Sequence, residues 1–168
     1  NGFCWGDLVM TEVRPGVSEF GSVDPAPASV GGNVAILKKI ICDEEERMFQ
    51  RMRALFALRN TGGTESVEAL AAAFDSSSAL LKHEIAYVLG QMQDDRAVPH
   101  LISRLEDLEE DVMVRHEAAE ALGAIGNRSA MSTLEKYAKD EEIVVSESCE
   151  VAIDLLEWVS SKKLDYTE

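Results

Sequence analysis

The sequence predicts an all-α solenoid of about four helical-pair repeats, and three observations carry that reading. Apolar residues make up 46% of the 168 positions while aromatics make up only 6%, a balance that suits close-packed helices better than a β-sandwich. From Asn33 onward apolar residues recur at three- and four-residue steps, as in Val67, Leu70 and Phe74 or Ile85, Val88 and Leu89. These runs also align over long distances. Leu58, Leu89, Leu122 and Ile153 fall in register at spacings of 31, 33 and 31 residues, and Val67, Val98 and Met131 follow suit with Leu70, Leu101 and Leu134. Helical pairs at such a period cannot bury their apolar faces alone, so they stack.

Residues 1–32 have no helical period. Pro15, Pro25 and Pro27, with glycines between them, break any regular element, and the segment reads as a linker or extension. Its apolar residues Phe3, Trp5, Leu8, Val9 and Phe20 are candidate docking points. The chain opens on Asn1 rather than Met and reads as a piece of something longer. Residues 33–160 form the repeat domain, with about eight helices of roughly 10 to 17 residues, and 161–168 form a tail. The breaks fall at polar or glycine-bearing turns around Gly62-Gly63, Ser76-Ser77-Ser78, Asp94-Asp95, Glu110-Asp111 and Gly126-Asn127. Several of them put Asp or Ser where a helix N-cap is wanted and Gly at a helix end.

Thirty-one acidic residues against sixteen basic ones give a formal charge of −15, which repels a phosphate backbone and argues against nucleic-acid binding. The same charge attracts a basic partner. Cys4, Cys42 and Cys149 are scattered with no CxxC, so neither a zinc knuckle nor a disulfide framework is expected, and a reduced, cytoplasmic setting fits. No apolar run reaches the roughly 18 residues of a membrane helix, and no signal segment opens the chain.

The feature that demands explanation is a duplicated His-Glu. Lys82-His83-Glu84 and Arg115-His116-Glu117 stand 33 residues apart, each with a Leu-Gly pair six positions after the His. The register places Met52-Arg53 and Glu147-Ser148 at the matching positions of the outer repeats, so the dipeptide is confined to the two central ones. Stacked helices lie about 8–10 Å apart, which lets equivalent imidazoles on neighbours share one ion. Consecutive helix residues point about 100° apart. The simplest arrangement therefore has His83 and His116 on one metal, one of the two glutamates completing the shell, and the other facing whatever lies beside it. Two imidazoles and a carboxylate with open positions are a ligand set of non-haem iron. Zinc remains an alternative, though the HExxH spacing of metalloproteases is missing. His100 lies off the repeated position and reads as an ordinary half-buried or surface residue. The shared register of Gly90 and Gly123 points to close helix approach.

The runs 80–93 and 113–126, with flanking runs 53–60 and 147–154, resemble the deoxyhypusine hydroxylases, HEAT-repeat diiron monooxygenases of eukaryotes. The resemblance covers roughly residues 22–159, and Ser22-Val23-Asp24-Pro25-Ala26-Pro27 is similar to the connector between the two halves of that enzyme. It implies that this chain corresponds to the C-terminal half. His83, His116 and Glu117 would then hold one iron, and Glu84 would face the substrate, the deoxyhypusine side chain of a translation initiation factor. It also implies that this half alone is inactive. Only two of the family's four His-Glu motifs occur here, so either an N-terminal half or a second copy of the chain would complete the centre. The competing reading is a non-catalytic HEAT-repeat binding module in which the His-Glu pairs line a docking groove.

Overall fold

The structure, a computed structural model, describes residues 25–161, and every regular element in that span is helical. The eight helices are α1 (Val34–Cys42), α2 (Met48–Thr61), α3 (Gly63–Ala72), α4 (Ala79–Met92), α5 (Val98–Glu106), α6 (Val112–Ile125), α7 (Met131–Tyr137) and α8 (Ile143–Ser161). They range from 7 to 19 residues, a wider spread than the periodicity suggests. The polar breaks at Asp95 and Arg128 wind into single 3-10 turns, Asp95–Ala97 and Arg128–Ala130, which leave α5 and α7 short. Nothing in the sequence stops α8 before Ser161. Residues 1–24 and 162–168, including the apolar residues proposed as docking points, lie outside the described residues.

The helices that carry His-Glu begin on side-chain caps. Ser78 Oγ accepts from the Leu81 amide at 3.2 Å, and Asp111 Oδ1 accepts from the Met113 amide at 2.9 Å. Each satisfies one of the amides that a helix start leaves unpaired. At the far end of α6, Gly126 adopts φ 81°, a left-handed geometry that favours glycine. The matching residue after α4 is Gln93 at φ 50°, and its side-chain Nε2 donates to the Ala124 carbonyl across the repeat at 2.9 Å.

The helices alternate between two layers. One contains α2, α4, α6 and α8, each packed on the next; the other contains α1, α3, α5 and α7. Along the chain, the closely packed neighbours are α1 with α2, α5 with α6 and α7 with α8. Helix α3 touches both α2 and α4, so the pairs α1–α2, α5–α6 and α7–α8 set the phase of the repeat, which apolar periodicity leaves open; the second member of each lies in the layer with His-Glu. Leu58, Leu89, Leu122, Leu70, Leu101 and Leu134 are fully buried between the layers, and each such side chain contributes about 1.5–3 kcal/mol. Ile153, their counterpart on α8, is only half-buried.

Two glycines set how closely the layer packs. A Cβ built on Gly90 would stand 3.0 Å from Ala121 Cα and Cβ, and one on Gly123 would stand 2.8 Å from Ala152 Cα and 2.9 Å from its Cβ. So α4 lies hard against α6, and α6 against α8. The register position on α2 is Arg59, whose guanidinium donates to Gln91 Oε1 at 2.8 Å instead.

The basic residue before each motif position is structural. Arg51 is almost fully buried, donates from Nε to the Ile41 carbonyl at the end of α1, and reaches Glu44 and Ser76 in the turns on either side. Arg115 repeats the pattern, donating to the Leu105 carbonyl at the end of α5 and pairing with Asp140 before α8. Lys82 pairs with buried Glu110 before α6. Glu44 is exposed, but the Lys82–Glu110 and Arg115–Asp140 pairs are largely buried, and removing one partner of such a pair costs about 3–5 kcal/mol. The non-helical stretch 25–32 also docks: Ala26 is buried, the Ser29 amide donates to the Arg53 carbonyl, and Arg53 Nε donates to the Pro27 carbonyl.

Replacing Gly123 with Ala is expected to destabilise the fold by about 1–3 kcal/mol through overpacking, despite the roughly 1 kcal/mol that Ala gains in helix propensity. Gly90→Ala should cost less, since its contacts are longer. Urea denaturation of both variants measures the order. Acid behaviour follows from the turn carboxylates. Hydrogen bonds from Ser76 and Ser77, then Arg51, hold the Glu44 carboxyl down at about 2 from an ordinary 4.5, and Arg115 holds Asp140 below its usual range. Both values are depressed in the fold, so the stability these groups add is present above the ordinary carboxylate pKa and lost as pH falls toward the folded values. A Glu44→Gln, Asp140→Asn double variant should be less stable than the parent at neutral pH. Its urea midpoint should converge on the parent's as pH drops below about 4.5.

Candidate metal centre

His83 and His116 are the fifth residues of α4 and α6 and sit at matched heights on adjacent helices. On each helix the apolar positions face the other layer: Leu81, Ile85 and Leu89 on α4, and Val114, Ala118 and Leu122 on α6. His83, Glu84 and His116 fall beside that stripe and are half-buried, while Glu117 is buried. The capped helix starts fix this rotation, and the Gly90–Ala121 contact sets the distance between the helices.

The two imidazole rings have centroids 5.6 Å apart and are tilted by 38°. His83 Nε2 lies 3.3 Å from Glu117 Oε2, and His83 Nδ1 lies 3.5 Å from Glu84 Oε1. One donor atom from each of His83, His116 and Glu117 falls within 4.8 Å of the others. Ligands that share an ion at about 2.0–2.2 Å stand up to ~4 Å apart, so side-chain rotation is enough to gather the three. Glu84 stands outside that set, on the opposite ring nitrogen of His83. His100 is on α5 in the other layer, 3.7 Å from Glu68.

Two features of these residues fit a cation. His116 Nε2 is buried without a hydrogen-bond partner among the described residues, a state that costs a polar atom about 1–3 kcal/mol. Burial pushes the Glu117 carboxyl up to about 7, with His83 opposing the shift and Glu120 and Glu84 adding to it. A positive ion among the three donors would satisfy the nitrogen and offset the desolvated carboxylate together. Beside the cluster runs an open groove of about 530 Å³, walled by Tyr87, Ala121, Val151 and Leu155, with Glu117 and Glu120 on its lining.

Sequence reasoning did not single out Glu120 and Ser148. Glu120 Oε1 and Ser148 Oγ each lie 3.3 Å from His116 Nδ1. Both carried a readable signal: Glu120 is four residues after His116 on the same helix face, and Ser148 is the register counterpart of Glu117 in the last repeat. The absence of His-Glu from that repeat had marked it as a bystander.

Among known proteins, a model of the HEAT-repeat family matches residues 34–112 and 68–154. Deoxyhypusine hydroxylase of Danio rerio is 47% identical over 159 residues, covering 94% of this chain and 52% of the relative. Deoxyhypusine hydroxylase-B of Oryza sativa is 51% identical over 88% of this chain and 49% of its own length. A solved structure of human deoxyhypusine hydroxylase in complex with glycerol superposes with a TM-score of 0.82 at 48% identity, covering 86% of this chain and 50% of that one. The chain thus spans about half the length of the relatives it matches. It belongs to the HEAT-repeat family and, within it, is similar to one half of deoxyhypusine hydroxylase.

Proposed function

We propose that this chain is the C-terminal half of a deoxyhypusine hydroxylase. In this reading residues 33–160 are one of two halves of a duplicated enzyme, and residues 1–32 are the connector and extension that precede it. The observation that carries the proposal is the meeting of His83, His116 and Glu117, with the unpartnered Nε2 of His116 among them, in a chain 46–51% identical to relatives such as those of Danio rerio, Oryza sativa and Homo sapiens that bear that name.

His83, His116 and Glu117 would hold one iron of a two-iron centre. When bound, iron supplies the activation of dioxygen that hydroxylating a methylene requires. The remaining work falls to the chain's own groups. Glu84, half-buried beside His83 Nδ1, receives the cationic amine of the deoxyhypusine side chain on a translation initiation factor and orients it for reaction. The small residues between α4, α6 and α8 leave an open groove in which an alkyl chain can lie. The net charge of −15 draws a basic substrate toward this face. The second half of the centre comes from an N-terminal half or, failing that, from a second copy of the chain apposed by two-fold symmetry. The setting is cytoplasmic, and no helix among the described residues is long and apolar enough to cross a membrane.

A non-catalytic docking module is the competing reading, and one observation favours it. Phe49, Leu80 and Met113 occupy one register position on α2, α4 and α6, and each is about half exposed. Metal content separates the two readings. Iron should bind near one ion per chain when an N-terminal half is added, and more weakly to this chain alone. His83→Ala and His116→Ala should each abolish uptake while circular dichroism keeps its helical signal. Hydroxylation of a deoxyhypusine-bearing substrate should appear only with the second half present. A chain that takes up no iron in either condition, yet captures protein partners through both histidine variants, would establish the docking module instead.

A further inference from the structure

The last repeat lacks His-Glu, yet its helix reaches the cluster. Ser148 on α8 is nearly fully buried, and its hydroxyl donates to Glu120 Oε1 on α6 at 3.0 Å. The same two oxygens, Glu120 Oε1 and Ser148 Oγ, flank His116 Nδ1 at 3.3 Å each. Three groups on two helices thus close a small ring: imidazole, carboxylate and hydroxyl.

Their hydrogen inventory fixes where the imidazole proton sits. An ionised carboxylate only accepts, and a hydroxyl has a single hydrogen. Turned to Nδ1, the Ser148 hydrogen would leave Glu120 Oε1 against a bare nitrogen lone pair at 3.3 Å; directed to Glu120 at 3.0 Å, it leaves the serine presenting lone pairs alone toward His116. Both neighbours of Nδ1 are then acceptors, and the hydrogen bonds form only if Nδ1 bears the proton. That leaves the Nε2 lone pair free, and Nε2 is the atom buried without a partner in the donor cluster. His83 has no such arrangement: carboxylates flank both its nitrogens, Glu84 at 3.5 Å and Glu117 at 3.3 Å.

We infer that Glu120 and Ser148 are positioning residues that lock His116 in its Nδ1–H tautomer and aim Nε2 at the metal. The inference rests on the metal-centre reading above. It assigns a role to α8 that the absence of His-Glu there conceals: the fourth repeat supplies a hydroxyl where the third has Glu117. Partners of this kind hold ligand imidazoles in orientation, and losing one weakens metal binding about 10- to 100-fold. Glu120 suits such replacement because its side chain is about half exposed, at 47%, and it packs in no core.

The test uses the whole chain and two readouts. Nitrogen-15 shifts of the metal-free protein report the His116 tautomer, and Co²⁺ titration followed by visible absorption reports affinity. The parent should show the Nδ1–H form. Glu120→Ala should mix the tautomers and weaken Co²⁺ binding about 10- to 100-fold with an unchanged thermal midpoint. Glu120→Gln, which keeps an acceptor oxygen, should restore most of the tautomer preference, and Ser148→Ala should have a smaller effect of the same sign. An Nε2–H tautomer in the parent, or a Glu120→Ala variant that binds Co²⁺ as tightly as the parent, overturns the inference. A parent that takes up no Co²⁺ but shows the Nδ1–H form, lost in Glu120→Ala, upholds the lock and overturns the metal reading.

Discussion

The contact on which the site depends is between backbones: α4 lies against α6, with Gly90 facing Ala121, and α6 lies against α8, with Gly123 facing Ala152. Glycine inside a helix costs about 1 kcal/mol in propensity, and this chain bears that cost at the same register position in both central repeats. In return the helices approach closely enough for His83, His116 and Ser148, from three successive repeats, to converge. The first pair in the layer has Arg59 at that position, and α2 contributes no donor to the cluster. Spacing and side-chain chemistry coincide: where the layer tightens, side chains that could hold a metal ion come together.

A second constraint fixes rotation. Buried Arg51 and Arg115 and half-buried Lys82 each tie the first turn of their helix to neighbouring turns through carboxylates, and the two arginines also tie to a carbonyl at the end of the previous helix. Each stands directly before a motif position. Holding that residue inward, toward the opposite layer, leaves the next two beside the apolar stripe: His83, Glu84 and His116 half-buried there, Glu117 and Met52 buried. The basic residue that shares its sequence context with His-Glu is thus an anchor, and it works equally well before Met52-Arg53, where there is no cluster to support.

Much of this was legible from the sequence. The all-α repeat architecture followed from apolar periodicity, since each leucine in the register series fills the same interlayer position. The meeting of His83 with His116 followed from the same arithmetic applied to polar residues. The phase of the pairs was not legible, because a period has no origin; only the packing of α5 on α6 and α7 on α8 supplies one. Helix lengths were misjudged where 3-10 turns replaced breaks, since Asp and Asn caps start either kind of turn. Glu120 and Ser148 were passed over because a search for repeated dipeptides gives no weight to a carboxylate one turn further on, nor to a hydroxyl in a repeat that has lost the motif.

A stack in which each unit touches only its neighbours need not open all at once. Fraying that begins at α1 and α2 can proceed some way before the donor cluster notices, since that end lends it no side chain. Fraying from the opposite end has no such grace. Among the described helices the outermost there is the one that carries Ser148, so His116 loses that contact before any residue of the cluster unfolds.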